Sequence, residues 1–154
     1  MNLVKIGSII RISKGKKANI ILNSQASNLS RFIQIDDLRN NNNLKFTDSS
    51  GINVIPNNVI IAWDGANAGT IGYGLSGIIG STLAKLEILT EDVLPEYLGR
   101  FLKSKSQYLR DQCTGATIPH ISGQVLKNIQ MPIPAIEVQK IIVEKLDHAD
   151  SIRF

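Results

Sequence analysis

The turn Lys14-Gly15-Lys16-Lys17 carries three lysines around one glycine, a composition that can hold a phosphate group. The ammonium groups supply positive charge, and the glycine lets backbone amides approach a ligand closely. We expect Gly15 to take the positive φ that a tight loop requires. The turn lacks the Gly-x-x-x-x-Gly-Lys-Ser/Thr spacing of a nucleotide-binding P-loop. Lys14, Lys16 and Lys17 are therefore predicted to contact the backbone phosphates of a nucleic acid.

A second segment, residues 114–121, brings together small and polar groups of a similar kind. Thr114 and Thr117 offer hydroxyls, Gly115 exposes backbone amides, and His120 offers a ring nitrogen. Each of these groups can donate a hydrogen bond to a phosphate oxygen or to a base edge. A hydrolase centred on His120 is an alternative, and a loop with no role in binding is the simplest interpretation.

Charge is unevenly distributed along the chain, whose 154 residues carry a net charge of +4. Residues 1–45 contain eight basic and two acidic side chains, whereas residues 46–99 contain one basic and six acidic side chains. Residues 100–127 are basic again, with five basic side chains and one acidic. Two basic segments on either side of an acidic one favour a basic face suited to phosphates. A solvated surface that binds no partner explains the same counts.

Two further polar candidates lie in predicted loops. Alternating apolar and polar side chains over residues 31–38 predict a half-buried strand, which is followed by a loop of Arg39 and four asparagines. The asparagine run is typical of a flexible tip, although an asparagine amide can also pair with an adenine edge. A glycine-rich connection over residues 64–72 contains Asn67 and follows Trp63, which is interpreted as a core residue, with stacking on a base as the alternative. Arg39 and Asn67 join the candidate contacts.

The remaining body is predicted to contain short strands followed by a helix. Strands are predicted on both sides of a turn at residues 56–58. The apolar residues 77–89 predict either a strand pair or one long strand with a bulge at Gly80. Apolar side chains at helical spacing, with Pro95 at the start, predict a helix over residues 94–112 that buries one face.

Two prolines separate this body from a terminal helix. Pro132 and Pro134 exclude a continuous helix and a central strand, so residues 126–134 are predicted to be extended. An amphipathic helix is predicted from residue 135 to about residue 152. Its exposed apolar stripe favours pairing, either with a second copy or with another subunit. The stripe consists of Val138, Ile141, Ile142, Leu146, Ala149 and Ile152.

Composition excludes several classes of protein. No apolar run approaches the length of a membrane span, and the first residues lack the apolar region of a signal peptide. The lone Cys113 cannot form an internal disulfide, and two scattered histidines make no metal site, so the cytoplasm is the expected compartment. Motifs for methyl transfer, metal-dependent nuclease, deaminase, nucleotide hydrolysis and serine hydrolase chemistry are absent from the sequence. We predict no catalysis, no cofactor and no metal.

The order of motifs resembles a known family. A glycine-to-isoleucine loop at 115–121, a Leu-x-x-Ile-x-x-Pro-x-Pro run at 126–134 and a helix-opening Gln139 resemble the end of a target-recognition domain in the specificity subunits of type I restriction-modification enzymes. The apolar opening at 3–10 and the segment at 57–65 are similar to other parts of such domains, although Asn58 stands where aspartate is commoner.

The resemblance implies a mixed α/β (α+β) fold: a mostly antiparallel twisted sheet, packed helices and a C-terminal amphipathic helix. It divides the chain into a target-recognition domain, residues 1–134, and the start of a conserved-region helix, residues 135–154. The implied partners are double-stranded DNA, a DNA methyltransferase subunit, an endonuclease/translocase subunit and a second copy of the chain. Because a full specificity subunit has two such domains, the chain resembles a half or truncated subunit. A module that binds the methyltransferase without productive DNA recognition is the alternative.

Overall fold

The computed structural model describes residues 2–152, which form ten short strands, two 3-10 helices and four α-helices. The strands are β1 Leu3–Lys5, β2 Ile10–Lys14, β3 Ser30–Ile33, β4 Lys45–Thr47, β5 Ile52–Val54, β6 Val59–Ala62, β7 Ile71–Tyr73, β8 Gly77–Ile79, β9 Leu83–Ile88 and β10 Gln130–Pro132. In the described residues the strands form two four-stranded sheets and one two-stranded sheet, in the orders β2-β9-β6-β7, β4-β3-β8-β5 and β1-β10. Neighbouring strands are antiparallel except for β3 and β8, so the expected mixed α/β fold with mostly antiparallel pairing is confirmed.

The pair β6–β9 separates two hydrophobic cores. Successive side chains of a strand point to opposite faces. Val59 and Ile61 of β6 therefore join the larger core, while Ile60 and Ala62 join the smaller one. All four residues of β6 are buried, which requires the continuous apolar sequence of this strand because neither face meets water.

Consecutive strands often belong to different sheets. The turn after β5 was predicted, but β5 pairs with β8 whereas β6 pairs with β9 and β7. The apolar residues 77–89 likewise form two strands in different sheets, and Gly80 lies in the connection between them instead of forming a bulge within one strand. The strand-pair alternative was therefore correct only in the number of strands.

The strand predicted over residues 31–38 is wrong in its second half. β3 ends at Ile33, and Ile35–Leu38 form a 3-10 helix in which Asp37 accepts a hydrogen bond from the backbone amide of Gln34 at 2.8 Å. Asp37 is buried, and its charge is compensated by Arg31 at 3.2 Å and Lys45 at 3.0 Å. The alternation of apolar and polar residues cannot predict this cluster, because a buried aspartate and an exposed aspartate give the same hydropathy pattern.

Four helices follow β9 in the chain, including one that the sequence did not predict. The helix expected over residues 94–112 is interrupted at Lys105 and forms two helices. The segment 126–134 was expected to be extended, but its first residues belong to a helix and only β10 is a strand. Ser122 caps this unexpected helix by accepting a hydrogen bond from the amide of Val125 at 3.2 Å. The helices are α1 Pro95–Ser104, α2 Ser106–Asp111, α3 Gly123–Asn128 and α4 Ile136–Ser151.

Two glycines allow close packing between elements. Gly15 is not among the glycines with positive φ in the described chain, so its predicted conformation is wrong. A Cβ there would lie 2.0 Å from the carbonyl oxygen of Gly80, so glycine is needed for this backbone approach. Gly99 has a similar role, since its Cβ would lie 2.2 Å from the ring of Tyr73 on β7, against which α1 packs.

The helix α4, expected at residues 135–152, is confirmed and is held by a fully buried glutamine. The Gln139 amide donates to the carbonyl oxygens of Asp92 at 2.7 Å and Pro134 at 2.9 Å, and its oxygen accepts from the amide of Leu94 at 2.9 Å. Val143 is also buried, whereas it was not part of the predicted stripe. These contacts fix the first half of α4 against the segment that leads into α1.

We predict that Gln139→Leu strongly destabilises the protein. Leucine keeps a similar volume but leaves two backbone carbonyls and one amide without their partner, at about 1–3 kcal/mol for each buried group. The free energy of unfolding, measured by urea denaturation, should fall by about 3 kcal/mol or more. The neighbouring Lys140→Leu is the control and should stay within about 0.5 kcal/mol of the parent, because Lys140 is exposed. Equal losses in both variants would contradict this role for Gln139.

Candidate nucleic-acid interface

The connection between β6 and β7, residues 63–70 and here called the Asp64 loop, organises the candidate site. Gly65 and Gly69 take φ of 100° and 97°, a backbone region that favours glycine. Gly65 donates from its amide to the carbonyl oxygen of Pro119 at 2.9 Å, and Ser106 of α2 donates from its hydroxyl to that of Gly69 at 2.7 Å. The loop is thus fixed both to the segment 114–121 and to α2.

Asp64 joins the two segments that the sequence singled out. One carboxylate oxygen lies 2.6 Å from Nδ1 of His120, and the other forms an ion pair with Nζ of Lys14. Lys14 is the last residue of β2, and Asp64 and His120 also form a β-bridge. Residues more than 100 positions apart in the chain therefore meet at one carboxylate.

The charge of Asp64 is well stabilised in this arrangement. Burial by itself opposes ionisation, but the hydrogen bonds from Lys14 and His120 outweigh it and lower the pKa of Asp64 below its ordinary value of 3.8. The carboxylate is consequently ionised near neutral pH. The side chain of Asp64 is 20% exposed, compared with 41% for Lys14 and 47% for His120, so Asp64 is the most buried of the three.

The segment 114–121 is closed by its own backbone. Thr114 and His120 exchange two backbone hydrogen bonds, of 3.0 and 2.8 Å. Gly115 has a φ of 102°, and a Cβ at this position would lie 2.3 Å from the carbonyl oxygen of Ile118. Thr117 is exposed at the tip. The predicted loop is therefore a tight, fixed turn that depends on glycine.

Arg39 binds a second polar residue of the Asp64 loop, Asn67. The guanidinium of Arg39 donates to the side-chain oxygen of Asn67 at 2.8 Å. Since Asp64 and Asn67 both lie in the Asp64 loop, this pair is three residues along the chain from the carboxylate that holds Lys14. Lys16 and Lys17 follow Lys14 and are exposed.

Several other basic residues are neutralised within the fold, which limits the expected basic face. Arg31 and Lys45 pair with Asp37, and Arg11 pairs with Glu87 at 3.4 Å. Arg100 of α1, which belongs to the basic segment 100–127, binds Asp147 and Asp150 of α4. These two hydrogen bonds raise the pKa of Arg100 above its ordinary value, and the bond to Asp150 has the larger effect. Arg100 therefore serves as a link between α1 and α4.

The site offers hydrogen-bond donors and positive charge, without the features of a metal centre. In residues 2–152, no group of three or more His, Cys, Asp or Glu side chains is placed to hold a metal ion. Burial raises the pKa of the Cys113 thiol, which does not favour a reactive thiolate. None of the helices in this part of the chain is long and apolar enough to cross a membrane.

Comparison with known proteins identifies the family. The model of the type I restriction modification DNA specificity domain matches residues 1–153. The chain belongs to this family. It is also 33% identical over 152 residues to the specificity subunit of the type I restriction enzyme MjaVIII from Methanocaldococcus jannaschii, a match that covers 97% of this chain and 36% of that subunit.

Solved structures of specificity subunits share the fold of this specificity domain. A chain from a structure of type I restriction-modification complex assembly and conformational transition superposes with a TM-score of 0.79 at 21% identity, over 97% of this chain and 38% of that one. The HsdS subunit from Thermoanaerobacter tengcongensis gives a TM-score of 0.76 at 20% identity, over 97% and 37%. The chain thus spans little more than a third of the length of the relatives it matches.

Sequence reasoning missed the residue at the centre of this specificity domain's candidate interface. Asp64 is not among the candidate contacts that the sequence predicts. The available signal was its place directly after a buried strand and Trp63, at the start of a glycine-rich connection. Trp63 itself packs against the larger core, in agreement with the first of its two interpretations.

We predict that Gly115→Ala destabilises the segment 114–121 more than Gly65→Ala destabilises the Asp64 loop. Both positions have a positive φ, which costs an alanine about 1 kcal/mol or more, but only at Gly115 would the new Cβ also meet a backbone oxygen. A Cβ at Gly65 would meet nothing within 4 Å. Thermal unfolding and hydrogen exchange of the Thr114 and His120 amides measure the effect. Equal losses would show that the contact with Ile118 does not constrain the turn.

Proposed function

We propose that this chain is the sequence-specific DNA-binding module of a type I restriction-modification system. It would recognise one half of a bipartite site and direct a partner adenine methyltransferase and an endonuclease subunit to it, without catalysing a reaction itself. Family membership supports the class of function, and the structural matches support the fold that it requires. The candidate DNA contacts are Lys14, Lys16, Lys17, Arg39, Asn67, Thr114, Gly115, Thr117 and His120.

The observation that carries the proposal is the convergence of separate segments on the Asp64 loop. Lys14 and His120 meet at Asp64, and Arg39 meets Asn67 in the same loop. Phosphate oxygens accept hydrogen bonds from all of these donor types, and contacts to phosphates fix the register in which base edges are read. Exposed Lys16 and Lys17 extend the positive surface beyond the end of β2.

We predict that replacing Lys14, Lys16 and Lys17 together by alanine weakens DNA binding for all sequences alike. Binding releases fewer counterions when phosphate contacts are lost, so the slope of log affinity against log salt should become shallower by up to about three. Fluorescence anisotropy with duplex DNA at several salt concentrations measures both quantities. A control variant with alanine at Lys5, Lys140 and Lys145 removes the same charge from other exposed positions. Unchanged affinity in the first variant would remove the basic turn from the interface.

The helix α4 supports pairing with another subunit. Among the predicted stripe residues, Val138 is 43% exposed, Ile141 50% and Leu146 42%, and Ala149 is exposed as well. Ile142 instead packs against the larger core, so it contributes less to the outer surface than expected. We propose that the exposed part of α4 is the start of a conserved-region helix and packs against a second copy of the chain or against the methyltransferase subunit. The range predicted for this helix, 135–154, extends two residues beyond the described part of the chain.

The same exposed helix favours a second candidate function. A domain that pairs through α4 without productive DNA recognition would occupy the methyltransferase and compete with complete specificity subunits. Two copies that do read DNA would instead recognise a palindromic split site, because the two-fold symmetry of a dimer is repeated in its target.

Co-expression with a type I methyltransferase subunit from the same genome, followed by mapping of methyladenine, separates the two functions. We expect a symmetric split motif. The variant Ile141→Gln/Leu146→Gln should lose it, because both apolar side chains are exposed on α4 and are proposed to form the pairing surface. The control Lys140→Gln/Lys145→Gln changes two exposed polar residues of the same helix and should keep the motif. A soluble, associated complex that produces no motif would favour the competing interaction module.

A further inference from the structure

Two hydrogen-bond donors of the candidate interface are already bound to an acid in the protein without DNA. Lys14 and His120 both contact Asp64, one at each carboxylate oxygen. The backbone holds this acid in place, because the Asp64 amide donates to the carbonyl oxygen of Thr82 at 3.2 Å. Asp64 is therefore a fixed negative charge in contact with two donors that the proposed function assigns to phosphate.

This arrangement has two opposite effects on a phosphate. Lys14 is a long and flexible side chain, and its ion pair with Asp64 fixes the position of the ammonium group. At the same time the carboxylate repels a phosphate that approaches the same donors. A phosphate at an arbitrary position is attracted only weakly, because the carboxylate offsets the charge of Lys14. A phosphate held in register by further contacts can instead bind two correctly oriented donors.

We propose that Asp64 is a positioning residue that suppresses non-specific DNA binding and thereby increases the preference of the domain for its own site. This inference rests on the proposed function, because it requires that Lys14 and His120 face DNA. It assigns to an acidic residue at the interface a role in discrimination, in contrast to the basic residues that supply affinity.

The variant Asp64→Asn tests the proposal because asparagine keeps the size and a hydrogen-bond acceptor but removes the charge. Its affinity for a random-sequence 30-base-pair duplex at 0.1 M salt should rise roughly three- to ten-fold, as expected for the loss of one unit charge near a phosphate in a water-like dielectric. The slope of log affinity against log salt should steepen by up to about one. Selection from a random DNA pool should return a less defined motif than the parent protein gives.

Glu91→Gln is the matched control. It removes one negative charge from an exposed residue beyond the other end of β9. The register places Lys14 opposite Ala84 and Ile10 opposite Ile88. The four residue steps from Ala84 to Ile88 correspond to about 13 Å, which exceeds the screening length of about 10 Å at 0.1 M salt. Random-sequence affinity at that salt concentration should therefore equal that of the parent.

The outcomes separate this inference from the proposed function. If the parent binds DNA but Asp64→Asn binds random duplex no more tightly and with the same salt slope, the role of Asp64 is wrong and the proposed function stands. If neither protein binds duplex DNA at low salt, the proposed function fails and the inference fails with it. Thermal unfolding of Asp64→Asn shows whether the domain remains folded, and Asp64→Ser provides a second neutral variant with the same expected rise in affinity.

Discussion

The pairing of β6 with β9 is the constraint on which the rest of the structure depends. Its alternating side chains supply both hydrophobic cores, with Val59 and Ile61 on one side and Ile60 and Leu83 on the other. A shift of one residue in this register would place each of these side chains in the wrong core. The register therefore fixes where β6 and β9 end, and the functional segments begin at those ends.

The two ends of this strand pair carry different parts of the molecule. At one end, β6 leads into the Asp64 loop, where Lys14 and His120 converge. At the other end, β9 leads to the segment of Asp92 and Leu94 that Gln139 of α4 binds. The six residues of β9 span about 17 Å between these regions. The strand pair thus separates the candidate DNA interface from the segment that holds the start of α4.

Acidic residues have a larger structural role than the basic net charge indicates. Asp37 compensates Arg31 and Lys45, and Asp147 and Asp150 bind Arg100. A count of charges along the sequence treats all basic residues as available for phosphate. The fold assigns several of them to internal ion pairs, so the positive surface is smaller and more localised than the count suggests.

The sequence by itself determined the family, the α/β class, the buried strand β6 and the helix α4, because these depend on local hydropathy, prolines and motif order. It also identified Lys14 and His120 as candidate contacts from their chemistry. Only the tertiary structure decided that both meet at Asp64, that residues 35–38 leave the strand, and that Gln139 is buried. Each of these depends on partners distant in the chain, and a polar residue that is buried by such partners has the same local pattern as one in water.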